Sequence, residues 1–294
     1  MSRLTCFGEV LWDVFPTHEM IGGAPLNVAV RLQSLSNEVS VISKIGNDQR
    51  GEEILTFLHD RDVTIEGIQQ DDHYSTGYVN IVLDQKGSAS YTIPYPCAWD
   101  KIQLTEKVKK IAASTEAFLF GSLVTRDEVS KQTLLALLEI ATFKIFDVNL
   151  RAPFYTYELL MELMMKADFI KFNDDELLEI GTSIAPEMIS LKELAKYLSK
   201  VCDAQIICVT RGEEGAFLYM NQQFYDNKGY KVEVVDTVGA GDSFLATLID
   251  KLLKNNPPQY SLDYACAMGA LVANNKGATP TINPEDINRL QENS

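Results

Sequence analysis

The sequence predicts an α/β protein: an open, doubly wound, mostly parallel central sheet with helices on both faces and a small β-sheet projecting from it. Three observations carry that prediction. Short, near-continuous apolar runs rich in Ile, Val and Phe alternate with helical patterns along most of the 294 residues, as expected when helices cover both faces of parallel strands. The stretch "TGYVNIVLDQKGSASYTI" breaks the alternation with two strand-like runs around a polar turn containing Gly87, the pattern of a β-hairpin. The turn "DTVGAGDSF", Asp236 to Phe244, joins a valine-rich run to a long apolar helical segment, which would place it at the carboxyl ends of the strands, where ligands of such sheets bind.

Taken in order, "RLTCFGEVLWDVF" reads as a strand ending near Asp13, and a Gly22-Gly23 break precedes a helix in "APLNVAVRLQSL". "EVSVISKIG" is the next strand, followed by a helix from roughly Gly51 to Arg61 and a short strand near Val63 to Ile68. The hairpin comes next. Two strands make no core alone, so with short N-terminal strands they are expected to form a lid from roughly residues 12–22 and 74–98. Beyond Leu104 the alternation resumes with helices near 104–112, 127–141, 155–166, 174–180 and 190–200, and strands "EAFLFGS", "KIFDVN", "DFIKFN" and "QIICVT". "GAFLYMN" and "YKVEVVD" read as further edge strands, and helices begin near Ala240, Leu262 and Pro284. Residues 1–294 are therefore expected to form one domain.

Composition narrows the function. With 26 Lys plus Arg against 41 Asp plus Glu, the formal charge is -15, and such a surface repels phosphate backbones and anionic headgroups. Nucleic acid and membrane surfaces are therefore not the expected partners. No run approaches the ~20 apolar residues of a membrane span, and Glu9 and Asp13 interrupt the N-terminal segment where a signal peptide would be apolar. The expectation is a cytoplasmic protein. The five cysteines, Cys6, Cys97, Cys202, Cys208 and Cys266, are scattered without a C-x-x-C pair, and the three histidines lack ligand spacing.

The "DTVGAGDSF" turn holds the chemistry. Gly239 and Gly241 allow consecutive N–H groups to converge at a helix N-terminus, where the dipole adds positive potential, so the turn reads as an anion hole. It is neither a G-x-G-x-x-G fingerprint, since Phe244 takes the sixth position, nor a Walker A loop. Asp242 would repel a phosphate unless an alcohol lay between them, in which case its carboxylate accepts the hydroxyl proton while the amides hold the transferring charge. An Asp here also serves as a helix N-cap. On spacing alone the two readings stand level.

"DTVGAGDSF" and "GGAPLNVA" (Gly22 to Ala29) resemble the C-terminal and N-terminal signatures of the ribokinase-like carbohydrate kinases, the phosphofructokinase B family. The resemblance spans nearly the whole chain, in order, and departs from the pattern at Thr247, where the C-terminal signature usually ends in a small pair. It implies ATP and Mg²⁺ as cofactors and Asp242 as general base, with Gly239, Ala240 and Gly241 as anion-hole residues. Asp13, Gly23 and Asn27 would hold the sugar. "KFNDDE" resembles the N-x-x-E motif, which implies Asn173 on the nucleotide side and Glu176 acting on Mg²⁺ through water. "VTRGEEGAFLY" implies Thr210, Gly212 and Gly215 near the phosphates and ribose, and "ALVANNKGATPTI" implies Asn274 and Gly277 near the adenine. A monovalent cation, K⁺, is a further implication, with Asp236 at its site.

Within the family, "GEVLWDVFP", "GGAP" and "FDVNLR" look most like fructokinases. Arg151 and Tyr91 are the remaining sugar-site candidates, although an arginine equally suits a keto-acid carboxylate and a hairpin tyrosine equally suits cross-strand packing. The expected reaction is ATP-dependent phosphorylation of D-fructose; the alternatives are 2-keto-3-deoxygluconate or ribose as acceptor, or a catalytically silent sugar- or nucleotide-binding sensor. The lid is expected to exclude water and to pair two subunits as a homodimer.

Overall fold

The computed structural model describes residues 1–83, 89–188 and 190–292, with only the backbone of 82, 83 and 89–91. Strand β1 (Arg3–Phe7) starts the main sheet. Strands β2 (Leu11–Val14) and β3 (Glu19–Gly22) then form a hairpin outside it, and helix α1 (Ala24–Ser34) returns the chain to β4 (Glu38–Gly46). Helix α2 (Gln49–His59) leads to β5 (Thr64–Asp71), and the hairpin of β6 (Gly77–Leu83) and β7 (Ala89–Thr92) follows. The regular alternation is then α3 (Glu106–Ser114), β8 (Ala117–Gly121), α4 (Glu128–Leu138), β9 (Lys144–Asp147), α5 (Tyr157–Met164) and β10 (Phe169–Asn173). Helices α6 (Asp174–Ile184) and α7 (Leu191–Cys202) precede β11 (Ile206–Thr210), β12 (Ala216–Met220) and β13 (Gln223–Asn227). Helices α8 (Ala240–Leu253), α9 (Pro258–Ala273) and α10 (Pro284–Glu292) close the chain.

The nine-stranded sheet runs β13-β12-β11-β10-β9-β8-β1-β4-β5, parallel from β11 to β5 and antiparallel only at β12 and β13. The strand order turns back on itself at β1, since β4 and β5 lie to one side and β8 onward to the other. That reversal opens a crevice at the carboxyl ends of the strands. The expected doubly wound sheet is what forms.

Alternation along each strand builds two cores. Phe7, Phe118, Phe120, Phe146, Phe172 and Val209 face α3 to α7, whereas Leu4, Cys6, Leu119, Ile145, Phe169 and Cys208 face α1, α2, α8 and α9. Phe120 and Phe146 are register partners on adjacent strands and stack with ring centroids 5.0 Å apart, so the pair ties β8 to β9 through side chains as well as the ladder. All five cysteines are buried free thiols, packed as small hydrophobes. Among the described residues no helix is long and apolar enough to cross a membrane.

The second sheet, ordered β3-β2-β6-β7, is the lid. Its geometry corrects the single strand expected over "RLTCFGEVLWDVF". The chain breaks at Gly8, whose φ is +150° and where a Cβ would lie 2.7 Å from Pro25 Cγ, and it leaves the main sheet there for the lid. A second correction concerns "YKVEVVD", which is not a strand. Its edge position is taken by β13, and the amides of Val235 and Asp236 donate to the Ala273 carbonyl at the end of α9 instead of to a ladder.

Candidate active site

The segment before α8 ends at Gly239, which caps the helix with φ +74°. A Cβ there would lie 2.3 Å from the Ala278 carbonyl oxygen, so the glycine is needed for conformation and for close packing alike. Of the expected amide donors, Ala240 is spent within the turn, donating to Thr237 O at 3.2 Å, because the capping geometry bends it inward. Helix geometry leaves the amides of Gly241 and Asp242 without an i−4 carbonyl, facing the crevice at the positive end of the dipole. Of the three expected donors, only the Ala240 amide is thus occupied within the turn.

Asp242, in the first turn of α8, is held from the other end of the chain: its Oδ2 accepts from Asn27 Nδ2 at 2.8 Å. Asn27 is placed by α1, which starts with Pro25 in its first turn and follows Gly23. Gly23 has φ +109°, and a Cβ on it would meet the Glu9 carbonyl at 2.6 Å, so chain packing already demands glycine at this signature position. One turn further along α1, the buried Arg31 donates to Ser243 Oγ at 3.1 Å and to Pro280 O at 2.8 Å. Asn27 and Arg31 thus tie α1 to the first turn of α8, at Asp242 and at the residue after it.

The carboxyl groups on this side are crowded. Burial, then the charge of Asp147, pushes the Asp242 carboxyl up to about 6, against the Asn27 hydrogen bond and the charges of Lys171 and Arg151. Asp13 packs against Gly22 in the β2–β3 hairpin, and burial pushes it to about 6 with Arg151 opposing. Arg151, exposed beyond β9, is near enough to Asp13 and Asp242 for its charge to act on both carboxyls. The Tyr91 side chain lies outside the described residues; its backbone pairs with Ile81 in the lid.

On the other side of the turn a cavity of about 970 Å³, a size suited to a nucleotide, is lined by Thr210, Gly212, Gly215, Thr237, Ala240 and Gly241 among others. Gly212 and Gly215 both have positive φ, at +55° and +79°, and nothing lies within 4 Å of a Cβ placed on Gly212. Asn274 and Gly277, expected at the adenine, do not line this cavity. The Asn274 amide donates to Glu233 O at 2.6 Å, and the Gly277 amide to Asp236 Oδ2 at 3.0 Å. Asp236 also accepts from Val238 N at 3.0 Å. These three residues therefore shape the segment leading into the anion turn.

Asn173 and Glu176 form a capping box at the start of α6, with Asn173 Oδ1 accepting from Glu176 N at 2.7 Å and Glu176 Oε2 accepting from Asn173 N at 2.8 Å. Glu176 Oε1 accepts from Leu150 N at 3.0 Å. Each carboxylate oxygen keeps a further acceptor site, which fits the hydrogens of water on a hydrated divalent cation arriving with nucleotide phosphates. Among the described residues no cluster of three or more His, Cys, Asp or Glu is placed to hold a metal alone.

Two groups escaped the sequence reading. Lys171 and Asp147 are register partners on the central strands β10 and β9, both buried, with Nζ 3.0 Å from Oδ1. Their signal was present: one charge in each of the otherwise apolar runs "FIKF" and "IFDV" demands a partner. Glu9, buried just past β1, is the third carboxyl near Asp242, and burial pushes it to about 7.

Comparison with known proteins places these features in a family context. The family model described as pfkB family carbohydrate kinase matches residues 2–286. A fructokinase of Salmonella typhimurium is 27% identical over 98% of this chain and 99% of its own. Among solved structures, a sugar kinase of Pyrococcus horikoshii superposes with a TM-score of 0.85 at 26% identity, covering 99% of this chain and 100% of that one. A fructokinase double mutant of Vibrio cholerae O395, in a form bound to fructose, ADP and potassium ion, gives 0.85 at 25% identity over 99% and 98%.

Proposed function

Since this chain belongs to the pfkB family of carbohydrate kinases and is an ATP-dependent sugar kinase, we propose that it phosphorylates a free ketohexose, D-fructose, at a primary hydroxyl, with Asp242 as general base. The observation that carries the reading is the position of Asp242: its carboxylate is anchored by Asn27 on the acceptor side, in the same helical turn as amides that face the nucleotide cavity. The sugar hydroxyl donates to Asp242 while its oxygen attacks the γ-phosphorus. The new O–P bond forms as the bond to the β-phosphate oxygen breaks, the proton passes to Asp242, and ADP leaves with the bridging oxygen. The Gly241 and Asp242 amides take the charge on the transferring group, and Mg²⁺, when bound, neutralises phosphate charge.

The acceptor preference is supported by charge. Glu9, Asp13, Asp147 and Asp242 crowd the acceptor side, with Arg151 as its exposed cation, so an uncharged sugar suits it better than a phosphosugar. The fructokinase likenesses point the same way. ADP release measured across fructose, ribose and 2-keto-3-deoxygluconate should favour fructose in kcat/KM, and Asp242→Asn should lower kcat by about 10²–10⁴-fold. A preferred ribose or keto-acid would replace the acceptor assignment, while parent-level turnover by Asp242→Asn would remove the base. The lid's edge strands β3 and β7 suit pairing with a second copy; a monomer by light scattering would discard that arrangement. Equal turnover in potassium, sodium and bulky-cation buffers would discard the monovalent cation.

A further inference from the structure

The base does not stand alone on its face of the sheet. Lys171 and Asp147 occupy the same side as Phe169 and Ile145, the side covered by α8, so their charges lie beneath the helix turn that carries Asp242. Lys171 Nζ is 3.0 Å from Asp147 Oδ1 and 3.8 Å from where a Cβ on Gly241 would sit. A buried charged pair in central strands contributes little net stability compared with apolar residues of the same volume. Packing alone gives no reason to keep one here, directly under the reacting turn.

We propose that Lys171 and Asp147 are positioning residues for Asp242, a cross-strand pair of opposed charges beneath α8 that governs the pH at which the carboxylate is free to take the sugar proton. The inference rests on Asp242 acting as the base. Other groups facing Asp242 are Asn27 from α1, Glu9 after β1 and Arg151 after β9. Of all these, Asp147 pushes the Asp242 carboxyl up most strongly by charge, while Lys171 pulls it down. Burial works against the charge on Lys171, yet Asp147, Glu176 and Asp242 together hold it protonated above the ordinary lysine range. The two partners act on the base with opposite sign. Removing one must move its ionisation one way, and removing the other the opposite way.

The test is the acidic limb of the kcat/KM profile against pH, measured with sugar and ATP for the parent, Lys171→Met, Lys171→Arg and Asp147→Asn, beside thermal melts. Lys171→Met should move the limb up by about one unit, Asp147→Asn should move it down by a similar amount, and Lys171→Arg should return it close to the parent. A merely structural pair would lower melting temperatures and kcat with the limb unmoved in every variant, and that outcome overturns the proposal. Should Lys171→Met fail to fold, Asp147→Asn decides, because it leaves Lys171 with Glu176 and Asp242 as counter-charges. Failure of the base assignment is separate: Asp242→Asn would then turn over at the parent rate whatever the limbs do.

Discussion

Replacing Gly239 by alanine puts a Cβ 2.3 Å from the Ala278 carbonyl oxygen and 2.5 Å from its Cα, where ordinary contact is 3.4–4 Å. The obstacle is backbone, so either the start of α8 or the loop at Ala278 must retreat by about 1 Å. Holding alanine at φ +74° adds roughly 1–2 kcal/mol of left-handed strain, and overpacking about 1–3 kcal/mol more. A displacement of that size at the Gly241 and Asp242 amides and at the base lowers kcat by roughly 10²-fold. Gly241→Ala is the control, since its Cβ meets nothing closer than Lys171 Nζ at 3.8 Å and its backbone is helical. It should melt like the parent and lose ATP affinity only, through crowding of the phosphates. Denaturant unfolding and steady-state kinetics with ATP varied read both effects. If Gly239→Ala kept the parent's stability and kcat, the account of this turn would be wrong; if Gly241→Ala kept the parent's KM for ATP, no phosphate approaches that residue.

Four further outcomes follow from the geometry. Because Asp242 must be ionised to accept a proton and burial lifts its carboxyl from the ordinary 3.8 to about 6, kcat/KM should fall as pH drops through about 6, as a pH series at saturating ATP would show. Arg31→Met removes donors from Ser243 and Pro280 and leaves the Pro280 carbonyl partly buried without its partner, so unfolding free energy should drop by roughly 1–3 kcal/mol and KM for ATP should rise. Arg151→Gln, at an exposed position, should raise the sugar KM by roughly 10-fold with no change in melting temperature, since it removes a charged hydrogen-bond donor to the sugar and leaves the core untouched. Alkylation under native conditions should leave activity intact, because all five thiols are buried and desolvation raises those of Cys6, Cys97, Cys202, Cys208 and Cys266; mass spectrometry should find them modified only after denaturation.

Periodicity made the sheet legible. Apolar runs such as "AFLF" and "IICV" are buried on both faces, so neighbours decide little and local pattern suffices. It failed where a neighbour decides. The "YKVEVVD" run has strand-like alternation, yet Val234 and Val235 are 62% and 49% exposed because the adjoining sheet edge already belongs to β13 and the end of α9 captures the amides. Gly8 is invisible to a strand pattern, since only the fold brings Pro25 to 2.7 Å from where its Cβ would sit. Gly239, Gly241 and Asp242 were readable as candidates because they lie together in one turn of the sequence. Lys171 and Asp147 were missed as a pair because their 3.0 Å contact depends on strand order, which places β9 beside β10.

The hydrogen bond from Asn27 to Asp242 spans 215 residues of chain. During synthesis α1 emerges early, while α8, which covers its apolar face of Leu26, Val28, Ala29 and Leu32, arrives only near the end. Until then α1 packs on the earlier strands β1, β4 and β8, and the part of its apolar face that α8 covers stays open to aggregation. A chain cut short ahead of residue 240 lacks α8, and with it both the cover of α1 and the proposed base Asp242.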